Sequence, residues 1–503
     1  RGRLFQTVED LYTQSYVLPF LVSMLENAGA NVLLPRERDT QLNEVIVDND
    51  KIDDHSHFQT FEGKSAWEKG NFPGFADYKK TYSEGENPFK VGSYLQIIST
   101  QNTDSTATAE WIPDIPESGR YAVYVSYFSL PNSVRDAHYT VRHAGGETNF
   151  TVNQSMGGGT WIYLGNFDFK KGKENKCGVY LSNYSSDASG IVTADAVKFG
   201  GGMGNITRKR ADLVQKIRVG RRHRKKTKTI VTRFSNSTTS GYPRYTEGAR
   251  YWLQWAGAPD SVYSRTEGRN DYSDDFQSRG FWVNYLAGGS SVLPSDRGLK
   301  IPVDMAFAFH TDAGTTRNDS VIGTLGIFTV QNNDKKSYYK NGVSRWNARE
   351  MTDIIQSQIV DDIRKTFSKE WIRRGLWNKS YSESRIPEVP SMLLELLSHQ
   401  NFADMSIGLD PRFRLAVSRA IYKGMLRYLS LVNKADYVVQ PLPVEEFSTK
   451  FLSDSTVLLS WESVADSLEP TAMPDSYIVY TRMEDGGFDN GEMVKTTNLI
   501  KNI

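Results

Sequence analysis

Three side chains in this 503-residue chain are of the types that hold a divalent ion and activate water: Glu9, His310 and Glu395. His310 closes an apolar run, Ile301 to Phe309, and is followed by Thr311, Asp312 and a Gly-bearing turn. Glu395 closes PSMLLE, where a buried carboxylate is costly unless it is paired or metal-bound. Glu9 opens a helix. Ligands of open α/β sheets bind at the carboxyl ends of strands, beside helix N-termini. One imidazole and two carboxylates on such a rim suit a hard-to-borderline divalent metal with a general base beside it, and zinc with an open water position is the natural choice. Each residue has an ordinary alternative: a strand-end histidine bonded to backbone, a first-turn Glu that favours the helix dipole, and a paired carboxylate.

The elements that must position them follow from periodicity. From Gln6 to Ala28, Val8, Leu11, Tyr12, Ser15, Leu18, Val22 and Leu25 fall at helical spacing, Pro19 predicts a kink and Gly29 a stop. Asn31–Leu34 reads as a short buried strand, so the opening is half of a βαβ unit whose first strand would precede Arg1. Residues 94–98, 107–112, 121–128, 138–141, 161–165, 179–181 and 194–199 alternate and are aromatic-rich, which predicts an antiparallel sandwich. The basic block from Arg208 to Thr229 carries no interleaved aromatics and reads as a solvated linker. Further on, Glu247–Gly257 predicts a short helix, 281–286 (FWVNYL) a strand, 302–309 and 323–330 strands, and 350–367 a helix with Met351, Ile355, Ile359 and Ile363 on one stripe. Val389–Leu394 predicts a strand and Arg412–Leu429 an amphipathic helix. From Asp436 the pattern is β again, with Trp461 as a core anchor.

Composition bounds the function. Hydrophobic content of 39% and charged content of 24% describe a globular chain of two to four domains. A net charge of +1 provides no global field to recruit nucleic acid or anionic lipid. The single cysteine, Cys177, excludes an internal disulfide and a Cys-based zinc site. No apolar run approaches the ~20 residues that span a bilayer. The chain opens on Arg-Gly-Arg without a signal peptide, and we expect a fragment whose N-terminus lies upstream.

EDLYTQSYVLPFLVSMLENAGANVLLPRERD, Glu9 to Asp39, resembles the zinc-type N-acetylmuramoyl-L-alanine amidases, in which a Glu opens a helix and a T-R-x-x-D run follows an apolar strand. AFHTDAG resembles that family's S-I-H-x-N-A strand end, and VPSMLLELLSHQN its P-x-x-L-x-E-x-G-F-x-x-N. The helix DPRFRLAVSRAIYKGMLRYL resembles the family's closing helix. The resemblance implies Zn2+ held by Glu9, His310 and a third ligand upstream of Arg1, with Glu395 as catalytic carboxylate. Asp312 departs from the family's Asn, and Leu397-Ser398 from its Gly-Phe. His55 and His57 are alternative ligands, His399 reads as a loop or pocket histidine, and His138, His143 and His223 as structural or solvated. GRYAVYVSY, GGGTWIYLGNFDF and VTADAVKFGGG resemble the golvesin/xanthan-lyase-type carbohydrate-binding-like domain, and the C-terminal strands a partial fibronectin type III module. The Tyr/His/Asn/Arg cluster of a polysaccharide lyase is not visible.

The implied fold class is α/β: an amidase-type open sheet with helices on both faces, interrupted by an inserted antiparallel β-sandwich and followed by a fibronectin type III-like β-sandwich. The expected boundaries are 1–51 and 241–432 for the α/β domain, 52–202 for the sandwich, 203–240 for the linker and 436–503 for the last module. The implied function is zinc-dependent hydrolysis of the amide between N-acetylmuramic acid and L-alanine, with peptidoglycan or another cell-envelope glycan as partner, no nucleic acid, and a secreted, periplasmic or cell-envelope location. Exposed aromatics such as Trp161 would hold glycan. Two alternatives stay open: a non-catalytic glycan-binding protein on a degenerate amidase scaffold, and a polysaccharide-degrading enzyme.

Overall fold

A strand covered on both faces needs apolar residues at most positions, and Ser391–Ser398, buried at every position but Glu395, has them. In the computed structural model it pairs in parallel with Ala306–Asp312, which lies at one end of a four-stranded open sheet. Leu325–Phe328 adds antiparallel to Ser391–Ser398, and Trp377–Asn378 adds parallel to that. The structure describes residues 9–50, 57–173, 176–187, 189–209, 213–220, 226–232, 237–484 and 486–502. Gln6, Val8, His55 and His223 lie outside the described residues.

Two units divide the chain: Arg1–Leu34, Ala144–Glu147 and Val283–Ile503 form one, Pro35–His143 and Thr148–Trp282 the other. The chain is thus α/β with open sheets, interrupted by an antiparallel sandwich.

In the first unit the two faces of the sheet differ. Phe307, Phe309, Met392, Leu394 and Leu396 pack into one core with the helices Trp346–Thr366 and Pro411–Asn433. Ala308 and Leu393 belong to a separate cluster with Leu325 and Ile327. The Met351, Ile355, Ile359, Ile363 stripe is buried as its spacing predicts. Gly424 lets the two helices approach closely, since a Cβ there would meet the Ile355 Cα at 2.8 Å.

The opening helix is Glu9–Tyr16, then a π-helical turn at Val17–Leu21, then Val22–Asn27. Pro19 has no N–H to give, and the wide turn around it absorbs that loss. Gly29, at φ +88°, ends the helix with Ala30 N–H on Leu25 O at 3.0 Å and Gly29 N–H on Glu26 O at 2.9 Å.

Two local expectations give way. Asn31–Leu34 is not a strand, because a strand exists only where a neighbouring backbone closes the ladder, and among the described residues none does. FWVNYL is the last part of the helix Asp271–Ala287. Its β-favouring aromatics are outweighed by a helix start in which the Asn270 side chain accepts the Ser273 N–H at 3.0 Å.

In the second unit, Val45–Val47, Val197–Phe199, Gly119–Val125 and Ile162–Phe169 make a four-stranded antiparallel sheet. A second sheet carries His57–Phe61, Thr108–Ile112, Gly178–Ser182 and Ala137–His143. Trp111, Val123, Tyr139 and Val197 are among the residues between them. This unit is wider than 52–202. Val45–Val47 is a sandwich strand, and buried Arg244 bonds Glu44 at 2.9 Å and the Gly201 carbonyl at 3.0 Å. Part of the expected linker is also structured: Leu213–Val219 and Lys226–Thr232 pair antiparallel, and the second strand is exposed along its length. β-Branched residues in both strands, such as Ile217 and Val219 in one and Ile230 and Val231 in the other, outweigh the charge that marked the segment as a linker.

The C-terminal strands Glu445–Ser453, Thr456–Glu462 and Asn498–Asn502 form one antiparallel sheet, and Tyr477–Val479 pairs with Glu492–Val494. Trp461 is buried against the edge of Tyr477, as a core anchor should be. Among the described residues no helix is long and apolar enough to cross a membrane.

Candidate metal centre

The register of the parallel pair sets His310 opposite Glu395. Registered partners project to the same face, so the imidazole and the carboxylate emerge together. Neither closes its strand: His310 lies two residues and Glu395 three residues inside the observed ends. The register shifts between His310 and Asp312, and such irregularities re-aim side chains next to active sites.

The opening helix delivers Glu9 to the same place. Tyr12 and Tyr16, buried in the core, seat it, with the Tyr16 ring edge-on to Phe309 at 5.3 Å. Glu9 Oε1 then lies 3.1 Å from His310 Nδ1 and accepts the Thr311 N–H at 2.9 Å. Glu9 and His310 therefore touch, and Glu395 stands opposite His310 in the ladder.

Electrostatics follow from this packing. Burial works against a charge on His310, yet its hydrogen bonds to Glu383 and Glu9 raise the imidazole to about 10. Burial would also raise Glu9, but the His310 contact outweighs it and holds the carboxyl below its usual range. Glu395 is pushed up to about 7 by burial, with His310 opposing and Glu9 adding to the rise. Its Oε2 is buried without a hydrogen-bond partner.

Sequence reasoning missed Glu383, which sits in the short helix Ser382–Arg385 with Oε1 3.2 Å from His310 Nε2. A lone Glu in SESRIP carries no signal of its own. His399 proves to be part of the rim: its Nδ1 is 2.9 Å from Thr311 Oγ1 and its N–H donates to Asp312 O at 2.9 Å. Asp312 turns away, onto Arg374 and the Ala313 and Gly314 amides. His57, His143 and His138 are occupied elsewhere, by Gln59, Thr148 and the Tyr184 ring. Trp161 is not an exposed platform. It is 6% exposed and packed against Phe75, Phe89 and Trp255, in an aromatic cluster just ahead of the strand Ile162–Phe169.

Among the described residues no group of three or more His, Cys, Asp and Glu side chains is arranged to hold a metal ion unaided. The Glu9–His310 pair does fit as part of a donor set. Ligands about 2.0–2.2 Å from a tetrahedral zinc lie ~3.3–3.6 Å apart, and these two atoms, in direct hydrogen-bond contact, are slightly closer at 3.1 Å.

Residues 78–201 match the Golvesin C-terminal domain. This match lies inside the sandwich. A xanthan lyase of Bacillus sp. (strain GL1) is 33% identical over 94 residues, 19% of this chain and 10% of that protein. The chain thus spans about a tenth of the length of the curated relative it matches. Among solved structures, a Paenibacillus xanthan lyase is similar at 26% identity and a TM-score of 0.23, over 31% of this chain and 13% of that one. The N-acetylmuramyl-L-alanine amidase Ami1 of Mycobacterium smegmatis is similar at 16% identity and 0.23, over 43% and 89%. The N-acetylmuramoyl-L-alanine amidase of Clostridium difficile 630 is similar at 16% and 0.22, over 31% and 65%. Likenesses this slight leave the chemistry to be argued from the side chains.

Proposed function

We propose that the α/β unit is a zinc-dependent amidase that hydrolyses the bond between N-acetylmuramic acid and L-alanine in peptidoglycan. One observation carries the reading: His310 Nδ1 and Glu9 Oε1 meet at 3.1 Å across 301 residues of sequence, beside a buried carboxylate. Glu9 and His310 would hold the ion, together with a further donor. Zinc in such a site lowers the pKa of a water from about 16 towards about 7 and polarises the scissile carbonyl.

The chain's own groups supply the rest. Glu395, pushed up to about 7 by burial, can take a proton near neutrality and return it to the leaving amine. The Thr311 amide fixes the Glu9 carboxylate, so that its orientation does not depend on the ligand. The sandwich would keep glycan near the site, and the C-terminal strands, read as a fibronectin type III-like module, would act as a spacer. A glycan substrate of this kind places the protein outside the cytoplasm, secreted or at the cell envelope.

A second reading has its own support. Asp312 and Leu397-Ser398, which depart from the amidase family's Asn and Gly-Phe, leave room for a glycan-binding protein on a degenerate scaffold. Incubation of the complete protein with purified peptidoglycan separates the two. Released muramic acid–alanine pairs, lost in His310→Ala, support the amidase. Binding without release supports the second reading, and unsaturated sugar ends would point to a lyase.

A further inference from the structure

His310 offers its two ring nitrogens to two carboxylates in unequal settings. Nδ1 faces Glu9, whose side chain is 31% exposed, whereas Nε2 faces Glu383, whose side chain is 8% exposed. A neutral imidazole gives a lone pair from one nitrogen only, and the other keeps its proton. An arriving ion comes from solvent, which reaches the Glu9 side. The Glu383 side is closed.

The support beneath Glu383 is rigid. Its neighbour Ser384 is fully buried, with its hydroxyl 2.7 Å from Thr329 Oγ1. The Ser384 carbonyl accepts the Ser391 hydroxyl at 3.0 Å, which ties the short helix to the strand that carries Glu395. On the other flank, Arg345 donates to the Arg385 carbonyl at 3.2 Å. The backbone that carries Glu383 is thus tied on both sides, and a carboxylate presented from it to Nε2 restrains both rotation and tautomer of the ring it touches.

We propose that Glu383 is a positioning residue: it accepts the Nε2–H of His310 and so presents Nδ1, beside Glu9, as the metal-binding nitrogen. This rests on the reading of Glu9 and His310 as ligands and adds what makes that ligand set selective in geometry. A carboxylate behind a ligating histidine also raises the basicity of its free nitrogen, and removal of such a partner typically costs about 10–100-fold in metal affinity.

The test uses the full chain, stripped by chelation, with Zn2+ alone as the probe in competition with a chromophoric chelator. Wild type is expected to bind Zn2+, His310→Ala to lose it, and Glu383→Gln to bind about 10–100-fold more weakly, with Glu383→Ala at least as weak. Glu383→Gln keeps the side chain's volume, so it decides the matter if Glu383→Ala fails to fold. Ring ¹⁵N spectra of the zinc-loaded wild type give a second readout, with Nε2 protonated and Nδ1 metal-bound. Unchanged affinity in folded Glu383 variants, with His310→Ala still defective, overturns the role of Glu383 and leaves the metal reading standing. Zinc on Nε2 overturns it as well. A wild type that takes up no Zn2+ overturns both.

Discussion

His310 and Glu395 are direct partners across a parallel strand pair, one at the end of an apolar run and the other in the midst of one. Their backbones are fixed by the ladder, so the distance between the two residues does not depend on a mobile loop. Sites built on strands hold their geometry more closely than sites on loops. Glu9 is the third member, delivered by a helix that the sheet core anchors through Tyr12 and Tyr16.

Metal retention follows directly. The wild-type chain is expected to keep zinc through dialysis and His310→Ala to lose it. Glu9→Gln should weaken binding by more than loss of Glu383 does, since it removes a ligand rather than its support. Elemental analysis of wild type, His310→Ala, Glu9→Gln and Glu383→Gln checks this.

Glu395→Gln should separate chemistry from binding. The variant keeps its zinc, while peptidoglycan hydrolysis falls by about 10²–10⁴-fold, the usual worth of a positioned acid–base group. Loss of zinc together with activity would instead make Glu395 a ligand.

The sandwich should lose stability as pH rises. Burial pushes Asp48 up to about 7, with Asp50 and Asp77 adding repulsion. A carboxyl raised on folding binds its proton more tightly in the folded state, so its stabilising effect is full at low pH. That effect is lost as pH climbs from about 4 to about 7. Calorimetry at about pH 5 and about pH 8 should show the loss in wild type and a smaller one in Asp48→Asn. The difference should be on the order of 1–3 kcal/mol.

Trp161→Ala should act on stability and not on glycan contact. The ring fills a cluster with Phe75, Phe89 and Trp255, and its loss should cost about 3–5 kcal/mol. Denaturant unfolding measures the cost. Glycan pull-down below the transition should show the binding of wild type and variant to be alike.

Local pattern carried most of the elements. The helical stripe from Met351 to Ile363, the kink at Pro19, the stop at Gly29 and the alternating sandwich strands are short-range consequences of chain geometry. They are legible because a residue's face is decided within a few neighbours. His310 and Glu395 could be singled out for a related reason: a carboxylate or imidazole at the edge of an apolar run is costly, and the cost marks it.

Contacts distant in sequence were decided by the tertiary structure alone. Glu383 has no mark in its own segment, and becomes a partner of His310 only because the short helix Ser382–Arg385 is tied to the sheet. Trp161 looked available until the fold turned it inward, and FWVNYL became helical because the helix that begins at Asp271 continues through it. Amino-acid types fix which groups can ionise, ligate or pack. Which of them meet depends on a topology that brings together residues 301 positions apart, and no local pattern encodes that.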